Sequence, residues 1–489
     1  MRPLRTLALI LTICLTACGA GRPTALPTPG PAAAAVCGDG LCSRGEDSAS
    51  CVQDCPAPAL LGEVKTTYIQ SEGVGQIAVM IAIPLQGRYE NGAGIVVVVP
   101  PIFTATNGFP TDPDATSLGL IQISYLWPGQ ADAGHGVQSE GQFDYGGSQS
   151  IQVLRDVVRF AAGRSSDVRG RYITAISNRI MPLTEEVGLY AFSDAGLAAV
   201  GALSAYSSQM QGLEYYIARE NPTIDSLTCL ETGYYSDSRE PVYNPFYLFP
   251  SAYSAGAVTL NYASLRWDPE YTDGHTGFVG RPYLDLDGSA SVSTPDFVFS
   301  WRVPVMDGKR YYSSALTEAL LSGGALTQPR WPADLATPEQ AALAWQSRQS
   351  TPAQFVTMRT SNPDLNLKVM LLFAIEDHLQ AAPDKPHIHQ AFQGFRFSAD
   401  FLWIRLNPDR AYVQSLLPNA GSEFPDNPAD VQPEDWAEIA AYAYPGRGDA
   451  GRLVPLAAVA EMADRAHTGR WDENLGQAFY SYTPPTPQP

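Results

Sequence analysis

Apolar runs of strand length recur along the chain: IAVMIAIPL (77–85), GIVVVVPP (94–101), GLIQISYLW (119–127), VGLYAF (187–192), KVMLLFAI (368–375) and FLWIRL (401–406). They are apolar at consecutive positions, not at every second one. Both faces of each strand are therefore expected to be covered, as in a mostly parallel sheet. Between them, SIQVLRDVVRFAAG (150–163) and AGLAAVGALSAYSS (195–208) carry helical patterns. Strand alternating with helix predicts a doubly wound α/β domain. The rhythm fails from about residue 231 to 366, a stretch rich in Tyr, Pro, Asp and Trp whose best regular piece is TPEQAALAWQSR (337–348). An insertion of this size between two core strands predicts a cap over one edge of the sheet. The core is thus expected at 62–230 and 367–478, the cap at 231–366, and a disordered tail at 479–489.

The chain opens MRPLRTLALILTICLTACGA. Two arginines precede an apolar run too short to span a bilayer, which takes about 20 residues, but suited to a signal peptide. The run ends in Leu15-Thr16-Ala17-Cys18, which resembles the bacterial lipobox. That resemblance implies a leader at 1–17, removed before Cys18, and a diacylglyceryl group on the Cys18 thiol. A plain secretory signal containing a cysteine is the alternative. Residues 18–36 form a Pro/Ala-rich spacer. A module at 37–56 follows, CGDGLCSRGEDSASCVQDC, with Cys37, Cys42, Cys51 and Cys55. In an oxidising compartment these predict two disulfides, with three connectivities open. The module resembles a short Cys-Gly-Asp-Gly-x-Cys repeat of bacterial surface proteins, and its acidic residues fit a solvated face or calcium. Cys229 stands alone and fits a small buried hydrophobe. The expected location is a bacterial membrane surface, outside the cytoplasm, with the chain held by its N-terminal lipid.

Composition narrows the function. The 489 residues are 45% hydrophobic and carry a net charge of -19, with no basic cluster. A nucleic-acid partner, which needs a basic face for its phosphates, is excluded.

Chemistry is concentrated in EEVGLYAFSDAGLAAVGALSAY (185–206), where Ser193 joins an apolar strand to a small-residue helix. A serine at the apex of a sharp strand-turn-helix needs small neighbours two residues away on each side, here Ala191 and Ala195, with Gly196 following. The helix start directs the Asp194 amide toward a developing oxyanion. Around it, in order, lie GIVVVVPPIF, the glycine-rich PGQADAGHGVQSEGQFDYGG, and VMLLFAIEDHLQ. Taken together these resemble the α/β-hydrolase superfamily, in its esterase and acyl-peptidase branches. The resemblance covers about residues 65–420 without the cap. It implies hydrolysis of an ester, thioester or amide with Ser193 as nucleophile, Asp377 as the acid, and a histidine as general base. It also implies a second oxyanion amide from Ile102 or Phe103, and no cofactor for catalysis.

The family pattern puts the histidine after the last strand, where this chain has none between His389 and His467. His387 and His389, in DKPHIHQAFQGF at the start of the next helix, are the candidates; His378 is set aside as the neighbour of Asp377. His135 and His467 are further options. A pair of metal ligands at His387 and His389 is a third reading, without a third ligand to complete it. The functional expectation is a lipid-anchored serine hydrolase acting on a small ester or peptide. The alternative is a degenerate hydrolase serving as a surface binding protein.

One more stretch stands apart. In YLDLDGSASVSTPDF (283–297), oxygen-bearing side chains fall at Asp285, Asp287, Ser289, Ser291, Ser293 and Asp296. Oxygens at positions 1, 3, 5, 7, 9 and 12 of a loop wrap a hard cation, position 7 through its carbonyl. The spacing resembles the dockerin form of the calcium loop, departing from it at Ser289 and at Ala290, where glycine is usual. A structural calcium steadying the cap is expected. The aromatic segment YYSDSREPVYNPFYLFPSAYSAG (234–256) fits either packing of an irregular region or a grip on an acyl group.

Overall fold

The computed structural model describes residues 61–103, 108–248, 253–254, 257–362, 366–398, 403–431, 439–446, 448–483 and 485. The expected leader, Cys18, the linker and the four cysteines of the module lie outside the described residues. No helix among those described is long and apolar enough to cross a membrane.

The apolar runs form one eight-stranded sheet. Its members are β1 (Leu61–Ser71), β2 (Gly75–Pro84), β3 (Ala93–Val99), β4 (Ile121–Tyr125), β5 (Pro182–Phe192), β6 (Leu213–Arg219), β10 (Lys368–Leu372) and β11 (Trp403–Leu406). The spatial order is β1-β2-β4-β3-β5-β6-β10-β11. β2 runs antiparallel to β1 and β4; every pairing from β4 onward is parallel.

Each face is covered by helices, as the consecutive apolar positions require. Ile95 and Val97 point into a cluster with α1 (Ser148–Ala161), α2 (Ala195–Tyr206), α5 (Pro352–Ser361) and α6 (Pro386–Ser398). Val96 and Val98 point the other way, toward α7 (Gly448–Thr468). α2 is built almost wholly of small residues, buried from Ala195 to Ser204, which lets it lie close against the sheet.

The insertion carries a three-stranded antiparallel sheet, β7 (Leu265–Thr272), β8 (Val279–Leu284) and β9 (Phe297–Val298). It also holds α3 (Ser314–Ser322), α4 (Pro338–Gln346) and α5. α4 and α5 both begin with a Thr capping box and a Pro in the first turn, Thr337-Pro338 and Thr351-Pro352. Leu284, Phe297, Leu316 and Trp345 belong to the same hydrophobic cluster as the core strands, so the cap shares the core's apolar interior.

Two strands of the eight-stranded sheet, β1 and β6, lie outside the apolar runs. The C-terminal stretch also differs from a wholly disordered tail at its start: the Phe479 amide donates to the Tyr412 hydroxyl at 3.2 Å, and Tyr482 donates to the Gln86 carbonyl at 3.1 Å. Aromatic side chains there find apolar surface on the core. Cys229 is fully buried, its thiol 3.3 Å from the Tyr311 carbonyl, in keeping with a small core residue.

Candidate active site

The parallel strands β3, β5, β6 and β10 end along one edge of the sheet, where ligands of open α/β sheets bind. Ser193 follows β5 there with φ = 55°, a left-handed backbone that costs a non-glycine residue energy and that a sharp turn imposes. Two features hold the turn. The Ser193 amide donates to the Arg219 carbonyl at 2.9 Å, and the Asn221 side-chain amide faces the carbonyls of Ala191, Ser193 and Arg219 at 2.8–3.0 Å. The Tyr216 hydroxyl donates to Asn221 Oδ1 at 2.9 Å and fixes that amide. Gly196 is required: a Cβ there would stand 2.2 Å from Asn221 Cγ.

The imidazole at Ser193 is that of His378. Its Nε2 lies 2.8 Å from Ser193 Oγ, and its Nδ1 lies 2.7 Å from Glu220 Oε2. Glu220 follows directly on β6, and its other oxygen accepts the Ala374 N–H at 3.3 Å. This corrects the expectation in two respects. His378, set aside as a neighbour of the acid, reaches the serine because the chain turns sharply after β10; the carboxylate hydrogen-bonded to the imidazole is Glu220. Serine, acid and histidine still follow one another along the chain in the order Ser193, Glu220, His378.

Asp377 is fully part of the cluster but in another position. Its Oδ1 accepts the Leu379 and Gln380 amides at 2.7 and 2.8 Å and lies 3.2 Å from His378 Nδ1. His387 is brought to Asp377, with Nε2 3.1 Å from Oδ2, and not to the serine. It begins α6, as does His389, which is buried and whose pKa falls to about 4, through burial and then the proximity of His387. His387 and His389 are therefore not brought to Ser193 Oγ; His378 is. His135 sits 3.0 Å from Asp132 in its loop, and His467 pairs with Glu186 at 3.0 Å while stacking on Tyr89.

Burial alone would lower the His378 pKa. Asp377, followed by Glu220, outweighs it and pushes the imidazole up to about 10. Asp377 itself, despite burial that acts the other way, is held well below the usual carboxylate range by His378 and His387.

Of the amides expected to bind an oxyanion, those of Ile102 and Phe103 are occupied. Phe103 donates its N–H to Asp194 Oδ2 at 2.9 Å, and Ile102 donates to Asp194 Oδ1 at 3.4 Å. Asp194, the residue after the serine, thus turns its carboxylate onto the loop after β3. Burial raises its pKa above the usual range, against the pull of those two amides and of His378.

A cavity of 460 Å³ opens on Ser193, Glu220, Asp377 and His378. Its wall is mainly apolar, from Phe103, Leu227, Trp301, Val303 and Pro304, with Arg302 beside them. Arg302 is held by Asp237 at 3.0 Å. The aromatic segment at 234–256 does not line this cavity among the described residues; its Tyr234 and Tyr247 hydroxyls bond to the Val298 carbonyl and to Asp384. The calcium-loop residues Asp285, Asp287 and Asp296 come together at the β8–β9 turn, apart from this cavity's lining.

No protein-family model matches the chain, and no curated protein matches it in sequence. Among solved structures, it is similar over 34% of its length to an α/β serine hydrolase without a lid from Xanthomonas campestris, with 16% identity, 65% of that chain covered and a TM-score of 0.22. Dipeptidyl peptidase 4 from Porphyromonas gingivalis matches over 35% of this chain and 22% of its own, with 11% identity and a TM-score of 0.23. An acylaminoacyl peptidase from Pyrococcus horikoshii matches over 35% of this chain and 25% of its own, with 13% identity and a TM-score of 0.25. The chain thus spans less than two thirds of each of these proteins. The α/β fold stands on the strand order above; at these scores the neighbours add no argument of their own.

Proposed function

We propose that this chain is a serine hydrolase of the α/β-hydrolase superfamily, cleaving a small ester or amide through an acyl group on Ser193. The observation that carries this reading is the 2.8 Å contact between His378 Nε2 and a serine Oγ held on a strained turn.

In the proposed reaction neutral His378 takes the Ser193 proton as Oγ attacks the carbonyl carbon. Glu220 and Asp377 then stabilise the imidazolium. The Asp194 amide takes the oxyanion, joined by the Ile102 and Phe103 amides once the Asp194 carboxylate has swung off them. His378 returns the proton to the leaving group. Water, deprotonated by the same imidazole, releases the acyl group and restores the serine. The apolar cavity wall favours an acyl group of apolar character. Anchoring outside the cytoplasm through a lipid on Cys18 rests on the N-terminal sequence and belongs to the same proposal.

The test is hydrolysis of p-nitrophenyl butyrate by the purified chain. Turnover that disappears in Ser193→Ala supports the reading; turnover undiminished in that variant overturns it. The grip of Asp194 on Phe103 and Ile102 favours a second reading, a binding protein with an idle serine turn. A folded wild-type chain that turns over no ester or amide is the outcome that reading expects.

A further inference from the structure

We propose that the loop from Asp285 to Asp296 is a calcium site that clamps the β8–β9 hairpin. One carboxylate oxygen from each of Asp285, Asp287 and Asp296 lies within 4.8 Å of the others. Three carboxylates this close repel one another unless a cation lies between them or one of them takes up a proton. Arg266, a half-exposed cationic side chain, is 3.5 Å from Asp285 Oδ2 and so offsets one charge of the three.

The Asp285 side chain points independently to a ligand. It is 2% exposed. Its Oδ2 accepts the Ala290 N–H at 3.2 Å and faces Arg266, but its Oδ1 is buried with no hydrogen-bond partner. A carboxylate oxygen taken from water and given nothing in exchange is costly, and a cation bound by Asp285 through that oxygen would satisfy it.

The remaining donors fit oxygen-rich coordination of a hard ion. Ser289 Oγ lies 2.8 Å from the Ser291 carbonyl, and Ser293 Oγ lies 2.9 Å from Asp287 Oδ2, so oxygens of positions 3, 5, 7 and 9 are already drawn together. Ala290, at position 6, has φ = 58°, the sharp turn that such loops normally give to glycine. Three carboxylates with hydroxyl and carbonyl oxygens suit calcium, which accepts irregular shells of six to eight oxygens, better than magnesium, which demands a near-octahedral one.

The consequence reaches the cavity. β9 (Phe297–Val298) leaves this loop, and Trp301 to Val305 follow within a few residues and form part of the cavity wall. An ion at the loop would therefore steady the cap next to Ser193 without touching the reacting atoms.

The experiment is calorimetric titration of the full chain with calcium chloride, together with melting temperature in calcium and in chelator. The acidic residues of the N-terminal module are controlled for by substituting the loop alone. Expected are calcium binding and a melting temperature that rises with calcium concentration. Asp287→Asn and Asp296→Asn should each weaken that binding about tenfold or more, and Ala290→Gly should tighten it by relieving the turn. Matching melting temperatures of parent and variants in chelator establish that the variants fold. The proposal is overturned if the parent shows no calcium-dependent rise, or if the calcium isotherm is unchanged by both carboxylate substitutions.

Discussion

The Asp194 carboxylate accepts the Phe103 backbone N–H at 2.9 Å, closing with a neighbour of Ser193 the amide that an oxyanion would use in the proposed reaction. An oxyanion donor contributes roughly 100- to 1,000-fold to rate. Removing the occupant should therefore help. Asp194→Ala is expected to raise kcat/KM for p-nitrophenyl butyrate several-fold, measured by steady-state kinetics. A fall in kcat/KM with the fold intact would mean that the carboxylate holds the loop in its working position instead.

The two carboxylates around His378 set a pH dependence. With its pKa pushed up to about 10, the imidazole is mostly cationic at neutral pH, and only its neutral fraction can accept the serine proton. We expect kcat/KM to climb about tenfold per pH unit from pH 7 toward a plateau near 10. Asp377→Asn removes the larger of the two attractive contributions, so the midpoint should move to lower pH. A profile flat from pH 7 upward in the parent would contradict this.

Stability follows the same group. Its pKa is raised above the unfolded value of about 6.5, so the stabilisation is complete below that pH and is lost as pH rises through about 10. Denaturant midpoints measured between pH 6 and 10 should fall across that window in the parent, and fall less in Asp377→Asn.

Glu461 lies on the opposite face of the sheet, on α7, between two buried guanidiniums. Arg405 Nε is 2.9 Å away and Arg465 Nε 2.8 Å, and none of the three side chains is exposed. Glu461→Gln leaves Arg465 without a carboxylate partner and Arg405 with Asp409 alone, at 3.3 Å, at an expected cost of about 3–5 kcal/mol in denaturant unfolding. Arg452→Ala, which removes an exposed partner of Asp449, should cost less than about 1 kcal/mol.

Gly196→Ala tests the turn itself. The added methyl would meet Asn221 Cγ at 2.2 Å and displace the amide that holds the carbonyls around Ser193. The expected loss is about 1–3 kcal/mol of stability, with a larger proportional loss of ester hydrolysis because the serine moves.

The doubly wound sheet could be read from consecutive apolar positions, since burial on both faces leaves that mark in the sequence. Ser193 was legible because its neighbours at Ala191, Ala195 and Gly196 are small for a mechanical reason. Glu220 was not. β6, LEYYIAR, has charged residues at its second and last positions around a short centre, so the carboxylate after it lacked an obvious strand to stand on. A carboxylate directly after the strand that follows α2 was the available signal. The place of His378 is not legible in the sequence, because adjacency to Asp377 says nothing about where the next bend points. That bend brings His378 to the serine and leaves Asp377 bonded to the amides of Leu379 and Gln380.

The most direct measurement is the rate of fluorophosphonate labelling, with the modified residue located by mass spectrometry. The account expects a single adduct on Ser193 Oγ, formed at least about 100-fold more slowly in His378→Ala and at close to the parent rate in His389→Ala. An adduct on another residue would contradict it. So would labelling that survives His378→Ala but vanishes when His387 or His389 is replaced.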